Sequence, residues 1–320
     1  MKRILLILLI VGACLLVIGG GAFAIAMAKV NWDISKFANV TYEEKNFEAD
    51  AETVSEINLN AETENISFIL SEDDKIHVTY FNRFDRKGQP IKTFEPSVKD
   101  GKLSIAETKA EKSVFNMDFG KEKTFVIAIP QGKKTSTSLC VGTGDIAVGA
   151  AEKAMTFESL SIQTSTGDIR LIGTISSDTN VTLKATTGDI LIEANLSVAK
   201  NLSCTVTTGL IKADQAVTAE KITCETSTGK IKLNAAITAN EITCATDTGD
   251  VLTKAPITAA LIHVTTDTGD VEILLAGTKD EYSCLLSTNT GEISPQSYLS
   301  GNKQVKVATD TGDIKITFQK

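Results

Sequence analysis

The sequence predicts an all-β protein: a single-stranded β-solenoid of about nine coils of 20–23 residues with an irregular β cap, preceded by one transmembrane helix. Three observations carry that prediction. The phrase Thr-Gly-acid-Ile, with minor variation, occurs nine times, its glycines being Gly144, Gly167, Gly188, Gly209, Gly229, Gly249, Gly269, Gly291 and Gly312. A period of this size held over more than half a chain is the mark of a repeat architecture. Around each glycine, apolar residues alternate with polar ones, the period of strands with one buried face. Ahead of the repeats, an uncharged apolar run extends from Ile4 to Ala28.

Residues 1–29 are read as the anchor. The apolar run has the length needed to cross a bilayer with some tilt. Lys2 and Arg3 precede it and Lys29 follows. That asymmetry places the amino terminus in the cytoplasm and the body outside, a single-pass protein of the cell membrane. Two alternatives stay open. Ala24-Ile25-Ala26 and Ala26-Met27-Ala28 resemble signal-peptide cleavage sites, and Val11-Gly12-Ala13-Cys14 is a loose lipoprotein box. All three readings put the body beyond the cytoplasmic membrane.

Residues 30–50 form a polar tether with scattered aromatics, and Trp32 stands where an interfacial aromatic would sit. Residues 51–135 lack the repeat phrase but keep strand signals: Ile57 and Leu59, then Ile76, Val78 and Tyr80, then Leu103 and Ile105, then Phe125 to Ile129. They are read as an amino-terminal β cap, because terminal repeats are atypical where they close a core; a separate small β domain is the alternative. Glu64-Asn65-Ile66 has the form of a decayed repeat corner. Arg86-Lys87-Gly88-Gln89-Pro90 is a turn.

Residues 136–320 are the solenoid. Two residues after each glycine comes a β-branched residue, Ile146 through Ile314, suited to a pleated, half-buried surface. Five and seven residues before it the chain is apolar, with Thr137 the one polar exception. No helical period fills the gaps, so successive coils are expected to stack strand on strand in chain order. The glycine turns a corner, with positive φ or a close neighbouring backbone. The Thr before it is expected to satisfy a corner amide. Lys303, Lys306, Lys315 and Lys320 in the last coil are expected to guard an exposed edge.

Candidate chemistry is sparse. Cys204, Cys224 and Cys244 share one inward position and read as core packing, since no Cys-x-x-Cys spacing is present and parallel side chains are poorly aimed for a disulfide. Acids follow glycine at Asp145, Asp168, Asp189, Asp250, Asp270, Glu292 and Asp313, with Leu210 and Lys230 interrupting. Asp247, Asp250, Asp267 and Asp270 crowd one corner of adjacent coils. A cation such as Ca2+ would relieve their repulsion, and ordinary turn chemistry also explains them. The Thr-x-Thr runs, such as Thr246-Asp247-Thr248, are expected to place both their Thr on the inward face near the corner. The two histidines, His77 and His263, are far apart, and no nucleophile elbow, phosphate loop or zinc helix motif occurs. No catalytic residue and no other cofactor is assigned. A net charge of −8 argues against nucleic acid as a partner.

The Thr-Gly-Asp-Ile phrase at this spacing, after one amino-terminal anchor and the Trp32-Asp33-Ile34-Ser35 tether, resembles the bacterial putative-adhesin family of β-strand-repeat proteins over nearly the whole chain. The resemblance implies an envelope protein with no catalytic motif to carry over. The expected role is therefore adhesion, scaffolding or sensing at the cell envelope. The expected partners are the membrane through Ile4–Ala28, and an envelope polymer, a surface protein or a second copy. An accessory regulator of envelope-stress signalling through a membrane partner is the alternative; a carbohydrate-active β-helix enzyme is the remaining one.

Overall fold

The computed structural model describes residues 24–25, 27–29, 31–33, 40–109 and 123–319. Most of the apolar run, with Cys14, lies outside the described residues. Among them, no helix is long and apolar enough to cross a membrane. The chain forms two compact units. One comprises residues 44–81, 94–108 and 123–320; the other comprises 1–43, 82–93 and 109–122.

The larger unit is the solenoid. Each coil contributes one long strand before its corner and one strand after it, and the two kinds form two parallel sheets that enclose the apolar column. Before the corner run strands such as Asn201–Thr208, Lys221–Thr228 and Glu241–Thr248. After the corner, long strands such as Ile169–Ser177 give way in the 20-residue coils to paired short ones, Ile211–Ala213 with Val217–Thr218 for example. The β-branched file stacks in register: Ile146 on Ile169, Ile169 on Ile190, Ile190 on Ile211, Ile211 on Ile231 and Ile231 on Val251. These residues are fully or almost fully buried. Cys204, Cys224 and Cys244 also stack directly, as buried free thiols. The longer Gly144 coil absorbs its extra residues in a bulge, Ala151-Glu152-Lys153, between Ala150 and Ala154.

The glycines are required by backbone proximity as much as by their dihedral angles. At Gly249, φ is +148°, and an added Cβ would collide with the carbonyl oxygen of Gly229. The same collision recurs from corner to corner, so a side chain here would be aimed into the backbone of the neighbouring rung.

Chain order and stacking order differ at both ends. Strand Glu56–Thr63 pairs with Ser136–Thr143 on one side and Lys102–Lys109 on the other. Its continuation, Asn65–Leu70, likewise lies between Ile146–Phe157 and Thr124–Ile129. The Glu64-Asn65-Ile66 corner is thus a full rung of the stack: Glu64 donates its N–H to Thr143 O, and Ile66 donates to Asp145 O. Strands Lys102–Lys109 and Thr124–Ile129 lie on the outer side of this rung, and Lys75–Asp85 runs antiparallel to Thr124–Ile129 at His77–Thr79.

At the carboxy end the last coil is not the edge. Strand Lys303–Thr311 lies between Leu261–Thr268 and Tyr282–Thr290, so the Gly291 coil is outermost. This corrects the expectation of simple sequential stacking and that of a lysine-guarded edge. Lys303 pairs with Glu281 at 2.7 Å, and Lys315 with Glu272 at 3.6 Å. The outer edge of Tyr282–Thr290 is blunted by backbone instead. Cys284 and Tyr298 exchange both main-chain hydrogen bonds, at 2.8 and 3.0 Å. Ser297 Oγ meets the N–H and C=O of Leu286.

In the smaller unit, Arg83 faces Lys92 and Phe84 faces Pro90 across an antiparallel hairpin. Asp85 Oδ1 closes its turn by accepting the N–H groups of Lys87 and Gln89, both at 2.8 Å. Thr41 Oγ1 donates to Phe84 O at 3.4 Å, and the Arg83 guanidinium lies over the Tyr42 ring at 5.4 Å.

Candidate functional site

The corner ridge holds the acidic residues singled out in the sequence, and the structure gives them a local role. Six of the seven carboxylates, all but Glu292, accept the N–H of the equivalent residue one rung away: Asp145 from Asp168, Asp168 from Asp189, and Asp189 from Leu210, all at 2.8 Å. Beyond the interruption, Asp250 accepts from Asp270 at 3.1 Å, Asp270 from Asp313 at 2.8 Å and Asp313 from Glu292 at 2.8 Å. Asn65 begins the ladder by accepting from Asp145 at 2.9 Å. A corner amide with no strand partner is costly if left unmade, so an acceptor at this position has a structural use at every rung.

Of the four aspartates expected to crowd one corner, Asp250 and Asp270 are joined through that ladder, while Asp247 and Asp267 are exposed on the strand side. Lys230 breaks the file but sits 2.6 Å from Asp250 Oδ2. The Lys230 hydrogen bond holds the Asp250 carboxyl below the usual carboxylate range. Among the described residues there is no group of three or more His, Cys, Asp or Glu placed to hold a metal ion.

The hydroxyl that serves the corner is not the one expected. The Thr before each glycine is exposed at every corner. The Thr three residues before glycine bonds the adjacent glycine carbonyl instead: Thr164 to Gly144 O at 3.1 Å, Thr226 to Gly209 O at 3.3 Å, Thr246 to Gly229 O and Thr266 to Gly249 O at 3.2 Å. Where coil order is permuted the rule still holds, Thr309 reaching Gly269 O at 3.2 Å and Thr288 reaching Gly312 O at 3.0 Å. The inward placement expected for both Thr of the Thr-x-Thr runs holds at the first, Thr246 for example being buried, and fails at the second, Thr248 being exposed.

The stacked thiols are held by burial. Cys204 and Cys244 are pushed well up, first by their hydrogen bonds to Cys224 and then by desolvation.

Sequence reasoning did not single out the outer face of the long-strand sheet. Six residues before each glycine, one file runs in register: Asn58, Ser138, Ser161, Thr182, Ser203, Thr223 and Thr243. His263, Lys306 and Leu285 end it. The signal was present as polar residues alternating with the buried file. Around Leu285 lie two shallow depressions of about 330 and 320 Å³, lined by Leu299, Gly301 and Gln304 on one side and His263, Ser287 and Ser297 on the other, with Lys306 in both. Leu285 is 50% exposed and Leu299 77%.

The family model described as Toastrack DUF4097 matches residues 54–317. The chain is also similar to several solved structures. One is a putative lipid binding protein from Parabacteroides distasonis, at 16% identity and a TM-score of 0.45, with 87% of this chain and 97% of that one covered. Another is a putative adhesin from Bacteroides fragilis, at 15% identity and a TM-score of 0.41, with 86% and 97% covered. A third is a putative cell adhesion protein from Clostridium sporogenes, at 9% identity and a TM-score of 0.30, with 87% and 100% covered. No curated protein matches the chain.

Proposed function

The chain belongs to the Toastrack DUF4097 family, and from that premise we propose that it is a membrane-anchored, extracytoplasmic, non-catalytic surface protein that binds an envelope polymer along the outer face of its coils. The observation that carries this reading is the in-register file from Asn58 to Thr243, a row of hydroxyl and amide groups at one rung spacing of ~4.8 Å. Such a row offers many weak, equivalent hydrogen bonds, which suit a repeating hydroxyl- or phosphate-bearing chain better than one compact ligand. The interior offers nothing comparable, because the inward files fill it with aliphatic side chains and thiols. The apolar run Ile4–Ala28 supplies the anchor in this reading, and the paired cations Lys2 and Arg3 set its orientation.

The test is a binding screen of the protein against wall glycan, teichoic acid, host matrix and itself. Binding of one polymer that weakens when Thr182, Ser203 and Thr223 are all changed to Glu supports the reading. Product release from any of these polymers, or binding indifferent to those three changes, sinks it.

A further inference from the structure

We propose that the carboxy-terminal end of the outer face binds a phosphodiester group of a polyol phosphate polymer, with Lys306 as the cation and His263 as a second donor. This deepens the polymer-binding reading above and rests on it. His263, Lys306 and Leu285 stand side by side on three consecutive rungs, with Lys306 in the middle. All three are exposed. Neighbouring rungs are ~4.8 Å apart, close enough for an ammonium and an imidazole to share one anion. Nearby lysines are already engaged, Lys303 by Glu281 and Lys315 by Glu272. Among the described residues, neither Lys306 nor His263 has a hydrogen-bond or ion-pair partner.

The surroundings suit an anion. In a chain of net charge −8, no carboxylate is among the described residues that line the two depressions flanking Lys306. The polar lining instead includes the Asn302 and Gln304 amides and the Ser287 hydroxyl, all able to donate. A phosphodiester is negatively charged and accepts hydrogen bonds through its free oxygens, the complement of this set. The exposed Leu285 and Leu299 offer an apolar surface to the carbon skeleton between phosphates. Continuity favours a polymer over a lipid headgroup. Thr243, the last hydroxyl of the file, is in register with His263, and Lys306 follows on the next rung. A chain held by Thr223 and Thr243 is therefore led onto Lys306, whereas a neutral glycan would leave that cation unused.

The experiment uses the full chain in detergent and measures, by calorimetry, its binding of poly(glycerol phosphate) and of a neutral N-acetylglucosamine oligomer. The phosphate polymer should bind. Lys306→Gln should weaken that binding on the order of tenfold, and Lys306→Arg should keep most of it. Raised salt should bring the parent toward the Lys306→Gln level. Leu285→Glu, which sets a carboxylate beside Lys306, should weaken binding as well. Equal binding by the parent and Lys306→Gln, or equal binding of the two polymers, overturns the anion site; sensitivity to Thr182→Glu, Ser203→Glu and Thr223→Glu together would still uphold the file. Binding to micelles containing phosphatidylglycerol but not to the soluble polymer assigns Lys306 to a lipid headgroup and overturns the proposal. Binding of neither polymer overturns the site, and the reading beneath it falls only if the wider screen above is also blank.

Discussion

Asp145 Oδ1 accepts the main-chain N–H of Asp168 at 2.8 Å, one rung away along the corner ridge. An acid follows glycine at seven of nine corners, and at six of them, all but Glu292, the carboxylate supplies the acceptor that the turning backbone lacks. The bond also makes the ridge testable. Asp168→Ala removes the acceptor for Asp189 N–H and should destabilise the protein by about 1 kcal/mol, with Asp168→Asn close to neutral. Denaturant titration of the three proteins checks this.

Acid should weaken the ridge in a defined direction. Asp250 and Asp214 are held below the ordinary carboxylate range, first by hydrogen bonds from Lys230 and Lys212 respectively. A group depressed in the folded state contributes stability above its unfolded pKa, near 4, and loses it as pH falls through the lower folded value. The melting temperature should therefore drop as pH falls below about 4. Asp250→Asn should flatten part of that slope, which calorimetry across pH 2–6 would show.

Glycine at the corner is a steric requirement. Gly249→Ala places a methyl group on the carbonyl oxygen of Gly229 at a φ that L residues rarely adopt. We expect a loss of roughly 3 kcal/mol or more, with the coils around the site opening first. Hydrogen exchange would locate the opening, and uniform protection equal to that of the parent would contradict it.

Inside the corner, Thr246→Val keeps shape and β-branching but removes the hydroxyl that meets Gly229 O. The expected cost is about 1 kcal/mol. Thr248→Val, at the exposed position two residues on, should be within about 0.5 kcal/mol of the parent.

The permuted carboxy end predicts a crosslinking pattern. Thr290 and Thr311 are neighbours, and so are Thr268 and Thr311. Cysteines placed at either pair should be joined by a short bifunctional thiol reagent, whereas a 268/290 pair should not. Peptide mapping separates these links from any formed by native Cys140, which is partly exposed.

How much of this was legible in the sequence follows from which features are local. The period, the inward files, the corner glycines and the Cys204–Cys224–Cys244 stack were readable because each depends on spacing within a coil. The hydroxyl that serves the corner was misplaced by two residues, because the strand leaves its regular alternation at the turn and only coordinates show which Thr then points inward. Coil order could not be read at all. Every rung presents nearly the same apolar files and the same Thr register, so the Gly291 and Gly312 coils are equally compatible with the face of the Gly269 coil. Tertiary structure broke that degeneracy. In the adopted order the Gly291 coil lies outermost, Tyr282 donates to Ala276 O at 2.6 Å, and Cys284 pairs with Tyr298 to cover the edge. The sequence by itself determined what a coil is and which way its residues face. Contacts among residues far apart in the chain, and the need to close an exposed sheet edge, decided which coil ends the stack.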